Sequence, residues 1–180
     1  MMDLNRLIAF ARPFYADKDV MHDLSHIDRV INAAKQLLKY HPEIHHWDSI
    51  VYAAYFHGFI YFHEEAIRAF LDREGLDTGS VERIVTIAWE SQKDELAESL
   101  EGRLLHDAHM IEGGKTYLIV KSLCTGTARG QTLEQTLQYF EKYVLGAGVC
   151  YLPEAQAVYA EMQQFASDFI RDLREGLKPV

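Results

Sequence analysis

Residues 50–62 read IVYAAYFHGFIYF, a run whose only polar groups are the His57 imidazole and the tyrosine hydroxyls. At helical pitch such a run has no solvent face, which places it at the centre of a domain. A buried imidazole left without hydrogen-bond partners costs about 1–3 kcal/mol. Other parts of the chain are therefore expected to reach His57. Gly58 costs about 1 kcal/mol against alanine inside a helix, and points to close packing or a need for space beside the imidazole.

On the N-terminal side of this run, Asp3 is expected to cap a helix over residues 4–11 that Pro13 ends. Residues 17–19 form a turn with an acidic cap, and a long helix follows over roughly 21–40, stopped by His41-Pro42. Its buried stripe is Leu24, Ile27, Ile31, Ala34 and Leu38, flanked by Val30, Ala33 and Leu37. His22 and His26 are four apart and lead into those flanking positions, so His26 points toward the core edge.

On the C-terminal side, residues 63–74 continue as an amphipathic helix ended by Gly75. Ser80 is expected to cap a helix over 81–92, and the acidic segment 94–101 reads as a solvated surface. Residues 104–114, LLHDAHMIEGG, form another apolar helix with polar residues in its middle. A short helix over 116–124, a loop over 125–132 and a Thr132–Gln135 capping box come next. Pro153 opens a final helix whose stripe (Ala155, Met162, Ala166, Ile170 among others) packs on the core or across a dimer axis. Helical periodicity recurs from end to end and strand alternation never persists. One all-α domain is predicted, a single-domain helical bundle that is a monomer or a homodimer.

The chain has 180 residues, enough to bury a core without staples. A net charge of -9 with no compensating basic cluster argues against a nucleic acid polymer as partner. A small phosphorylated molecule stays open, since a metal or a few cations override the global field locally. Cys124 and Cys150 have no zinc or CxxC spacing and read as reduced thiols of a cytoplasmic protein. The first residues carry Asp3 and no uninterrupted apolar region, so no signal peptide is expected. The central run is too short to span a bilayer, and no membrane is expected.

Three polar residues occupy positions where apolar ones would serve the core better: His26, His57 and Asp107. Two imidazoles and a carboxylate from three helices, if they converge, make a transition-metal ligand set with open positions, as catalytic sites have. Without a metal, His57 would bond Asp107 and His26 would line a polar pocket.

The segment HDLSHIDRV at 22–30 resembles the opening motif of the HD superfamily of metal-dependent phosphohydrolases, in whose small bacterial branch a His-Asp pair precedes His-x-x-Arg-Val. AAYFHG at 53–58 is similar to the family's AALxHD motif, and LLHDAH at 104–109 to its third motif. Together these cover about residues 19–115, with the helices of 116–177 packing on them. The resemblance implies an all-helical HD domain with His26, His57 and Asp107 as metal ligands. Gly58 departs from it, because the family places a ligand Asp there. The extra histidines of two-metal members are absent from 81–92, and His109 stands where many relatives have a second Asp. The expected site therefore holds one divalent ion (Mn, Fe, Ni, Co or Mg), with water or His109 at the vacancy. His22 or Asp23 would handle the proton, and Lys115, Lys121 and Arg129 would meet a phosphate. On that reading Gly58→Asp should rebuild a stronger site. Two alternatives remain at this point: a metal-free module that binds a nucleotide or protein partner, and an iron oxygenase built on two histidines and a carboxylate. The histidines of HPEIHHW (41–47) read as a surface loop, and Gly113-Gly114-Lys115 lacks the spacing of a phosphate loop.

Overall fold

The computed structural model describes residues 2–178, and among these there are nine α-helices and no strand. The protein is all-α, as its periodicity predicts. Helix α1 (Leu4–Ala11) starts at Asp3, whose side chain accepts from the Asn5 and Arg6 amides. Helix α2 (Leu24–Leu37) starts at Asp23 and runs into a 3-10 turn over Leu38–Tyr40. Helix α3 (Trp47–Phe56) is the hub, because every residue from Ser49 to Phe56 is buried. It packs against α1, α2, α5 and α6. Phe56, fully buried, illustrates the energetics: truncation to alanine is expected to cost about 3–5 kcal/mol.

The central apolar run is not one helix. It breaks after Phe56 into a turn at His57, Gly58 and Phe59, after which α4 (Ile60–Arg73) begins. Two groups from the chain upstream hold that turn. The Tyr15 hydroxyl donates to the Tyr55 carbonyl and accepts from the Gly58 amide, and Lys18 Nζ donates to the Gly58 carbonyl at 2.6 Å. Phe10 stacks on Phe70 and Phe14 stacks on Phe59, which fixes the two helices around the turn. The run also surfaces at its end, where Phe62 is 88% exposed.

Helix α5 (Thr78–Glu90) is capped by Asp77, whose side chain accepts from the Ser80 amide, rather than by Ser80 itself. Helix α6 (Leu100–Met110), capped by Ser99, begins inside the acidic segment expected to be surface. Helix α7 (Gly114–Ala128) reaches into the segment expected to be loop, α8 (Leu133–Tyr143) has the capping box, and α9 (Pro153–Gly176) follows the positive-φ turn at Gly146 and Gly148. These last three enclose a smaller core around Ile119, Leu137, Phe140, Ala166 and Ile170. Among the described residues no helix is long and apolar enough to cross a membrane.

Candidate metal centre

Three imidazoles meet where the start of α2 and the ends of α3 and α6 converge. His26 lies in the first turn of α2, His57 caps α3, and His109 is the next-to-last residue of α6. One nitrogen from each lies within 4.8 Å of the other two. The ring centres stand 5.9 Å apart for His26 and His57, 5.3 Å for His26 and His109, and 4.3 Å for His57 and His109. Three imidazoles on one tetrahedral ion, at metal–nitrogen distances of about 2.0–2.1 Å, would space their ring centres by roughly 5 Å. The observed triangle brackets that value.

Neighbouring groups decide which nitrogen each ring can offer. Ser91 Oγ donates to the Ala88 carbonyl, so it accepts from His57 Nδ1 at 3.1 Å and leaves the His57 Nε2 lone pair free. Gln92 Nε2 gives its two protons to the His57 and Ala88 carbonyls, each at 2.9 Å, so its 3.1 Å approach to His57 Nδ1 is a contact and not a donation. His26 Nδ1 lies 2.8 Å from Glu112 Oε2, a close polar contact rather than an aligned hydrogen bond. His109 Nδ1 is buried with no partner. A buried ring nitrogen without a partner, beside two further imidazoles whose neighbours hold them in place, fits a metal ion.

Glu112, in the turn after α6, takes His26 and Lys121 on Oε2 and Arg29 Nε on Oε1. Burial acts to raise its pKa, but contacts with His26 and Lys121 outweigh it and hold the carboxyl at about 2. Burial depresses all three imidazoles. His57 is pushed down to about 3 by burial, with His26 and Lys18 adding to the effect. His109 falls well below its ordinary value through burial and the adjoining His57, and His26 is lowered by burial despite Glu112. All three are neutral at pH 7, the form that binds metals.

His109 also opens on a cleft of about 280 Å³. Its walls carry His22, Lys93, Lys121 and Arg129 together with Tyr139, Tyr143 and Tyr159. A larger cleft of about 490 Å³, lined by His45, His46, Glu74 and Arg83 among others, lies away from the imidazoles. The chemistry is concentrated in the smaller one.

The structure brings together some of the residues singled out by sequence and separates others. His26 and His57 converge, and His109 fills the third place. Asp107 does not join them. Its carboxylate accepts from the Tyr151 and Leu152 amides at 2.7–3.0 Å and lies 2.9 Å from His106 Nδ1, so it anchors the start of α9. The hydrogen bond between His57 and Asp107 expected without a metal is likewise replaced by Ser91. Of the two groups expected to handle a proton, Asp23 is the α2 cap, held by the amide and hydroxyl of Ser25. His22 lines the cleft, with Nδ1 held 2.8 Å from Asp19. Lys121 and Arg129 line the cleft too, whereas Lys115 pairs with Glu161 on the exposed surface. Sequence reasoning missed Glu112, Lys18 and Lys93. Glu112 lies three residues after His109, in the turn beyond α6, and that nearness in sequence was the only signal for it.

Gly58 is required by its surroundings. A Cβ there would lie 2.6 Å from the Tyr15 hydroxyl and 2.7 Å from Lys18 Nζ. An ammonium and a phenol occupy the space into which a side chain at this position would grow.

No protein-family model matches the chain, and no curated protein matches it. Solved structures do resemble it in fold. Bacillus subtilis YpgQ in complex with ADP superposes with a TM-score of 0.75 at 17% identity, over 95% of this chain and 97% of YpgQ. Listeria innocua Lin1889 gives 0.73 at 22% identity, over 100% and 99%. A Lactobacillus plantarum protein gives 0.77 at 17% identity, over 98% of each chain. At these identities the likeness is one of fold.

Proposed function

We propose that this chain is a metal-dependent phosphohydrolase of the HD type, acting through a mononuclear centre on a small phosphorylated molecule, with nucleotides the first class to test. One observation carries the reading: three neutral imidazoles with available lone pairs adjoin a cleft walled by Lys93, Lys121, Arg129 and His22. The ADP bound to the YpgQ structure, which shares the fold, supports a nucleotide as the first candidate. A divalent ion at the centre would supply Lewis acidity toward a phosphate oxygen and acidify water at its open position.

The chain's own groups have separable tasks. Glu112 orients His26, and Ser91 with Gln92 orients His57. Lys121 spans from Glu112 to the cleft wall, which positions its ammonium for a phosphate. Arg129, exposed on that wall, gives a second cationic contact. The Asp19–His22 pair keeps a proton on Nδ1 and turns the rest of the ring toward the cleft, the arrangement of a general acid–base group.

A second reading, a metal-free HD-like module that binds a nucleotide, draws on the ammonium of Lys18 at Gly58. Metal content of protein purified without chelator separates the two. The enzyme reading expects about one ion per chain, lost in His57→Ala, and phosphate release from a nucleotide and phosphoester panel that Lys121→Ala depresses. Absence of metal from both proteins, with no change in melting temperature on adding divalent ions, would support the module.

A further inference from the structure

We propose that the centre formed by His26, His57 and His109 is an all-nitrogen site that selects zinc, or a neighbouring late first-row dication, and discriminates against magnesium and manganese. The inference rests on the metal-binding reading above and adds which class of ion the ligands accept. Magnesium and manganese are held by carboxylates, carbonyls and water, and their affinity depends largely on the negative charge presented to them. Zinc, copper, nickel and cobalt gain more from nitrogen lone pairs, and three imidazoles with an open fourth position are an established zinc set.

The carboxylates around this centre are each engaged elsewhere, and the free ends that approach it are cationic. No carboxylate belongs to the cluster among the described residues. Asp107 is turned away and fully engaged at Tyr151 and Leu152. At Gly58, where a carboxylate would have to grow, the nearest polar atoms are the Tyr15 hydroxyl and the Lys18 ammonium. Lys121 adds a second ammonium. The one buried carboxylate nearby, Glu112, is shared among His26, Arg29 and Lys121. Asp19 is tied to His22. A hard ion would meet neutral rings and no carboxylate free to coordinate it, since Glu112 is already paired with Arg29 and Lys121, whereas a late ion needs only the lone pairs. The buried Nδ1 of His109 has no hydrogen-bond partner, so the protein itself leaves a nitrogen of this ring unengaged.

Competition titration of the chelator-stripped, full-length protein against a colorimetric chelator is the test, with Zn²⁺, Mn²⁺ and Mg²⁺ as probes. The expected result is one Zn²⁺ per chain, bound at least about 100-fold more tightly than Mn²⁺. Co²⁺ should give the intense visible bands of a four-coordinate nitrogen site, lost in His109→Ala and retained in the surface variant His46→Ala. His109→Asp, which replaces a lone-pair donor with a charge, should lower the Zn²⁺:Mn²⁺ preference by at least about tenfold. Mn²⁺ or Mg²⁺ binding as tightly as Zn²⁺, abolished by His109→Ala, would overturn the selectivity while leaving the metal reading intact. Zn²⁺ binding that His109→Ala leaves unchanged would overturn it as well, because the ion would then sit elsewhere. No ion binding at all would remove both.

Discussion

Asp107 and His109 lie two residues apart on α6 and face opposite partners. Asp107 accepts from the amides that begin α9, while His109 stacks edge-on against His57 with ring centres 4.3 Å apart. Two residues of an α-helix are about 200° apart around its axis, so a single motif places one side chain toward the centre and the other away from it. Leu152, the α9 cap residue, makes no side-chain cap hydrogen bond, and the Asp107 carboxylate instead holds the Tyr151 and Leu152 amides that lead into the helix.

The two residues should therefore fail differently. Asp107→Ala leaves the part-buried Tyr151 amide and the buried Leu152 amide without acceptors and is expected to cost roughly 2–5 kcal/mol of unfolding free energy in urea. His109→Ala should cost far less stability and lose the bound ion. If Asp107→Ala stripped metal from a protein of unchanged stability, the assignment of these two residues would have to be exchanged.

Gly58→Asp gives a contrasting case. Reading the chain against the HD pattern suggests that an Asp there would rebuild a stronger site. The structure opposes this, since even a Cβ would press on the Tyr15 ring and on Lys18 Nζ. Tyr15 cannot retreat freely, because its hydroxyl joins the Tyr55 carbonyl to the Gly58 amide. Both Gly58→Ala and Gly58→Asp should destabilise by about 1–3 kcal/mol, and neither should tighten metal binding. An increase in affinity for Gly58→Asp, read by the same chelator competition, would show that the turn can give way.

These cases show what was legible in the chain. The hub helix, the α1 cap at Asp3, the Thr132–Gln135 box and the Pro153 start were all readable, because each depends on neighbours within four residues. His26 and His57 were readable as polar intruders on apolar stripes. The break at His57–Phe59 was not, since it depends on Tyr15 and Lys18 from some 40 positions upstream. The choice between Asp107 and His109 was equally hidden. Both are compatible with the helix, and only the arrival of α9 decides which one turns toward α2 and α3. Glu112 looked like an ordinary charge before a glycine pair, and its role appears only when α2 and α7 bring His26, Arg29 and Lys121 to it.

Glu112→Gln tests that role. The substitution keeps the shape but removes the charge that fixes His26 and neutralises Lys121 and Arg29. Metal affinity is expected to fall about 10–100-fold, as when a partner of a ligating imidazole is lost. An affinity equal to wild type would mean that α2 packing alone sets the His26 ring.

Acid should unfold the metal-free protein from an unusually high pH. His57 holds a folded pKa of about 3, and His26 and His109 are also lowered, against about 6.5 in an unfolded chain. Below about pH 6.5 the unfolded state therefore binds protons that the native state refuses, and stability falls as pH falls toward the folded values. Glu112 adds a second loss of the same sign at lower pH. Its folded pKa of about 2 lies below the unfolded value of about 4.3, so the stability it contributes is complete above that value and disappears as the carboxyl protonates. Urea midpoints measured on chelator-treated protein should stay level above about pH 7 and decline steadily to about pH 5. His57→Gln should flatten that decline, because the residue that resists protonation is gone. A midpoint constant down to about pH 5 would mean that the rings open to water and protonate in the folded state, so the burial that keeps them neutral would be lost.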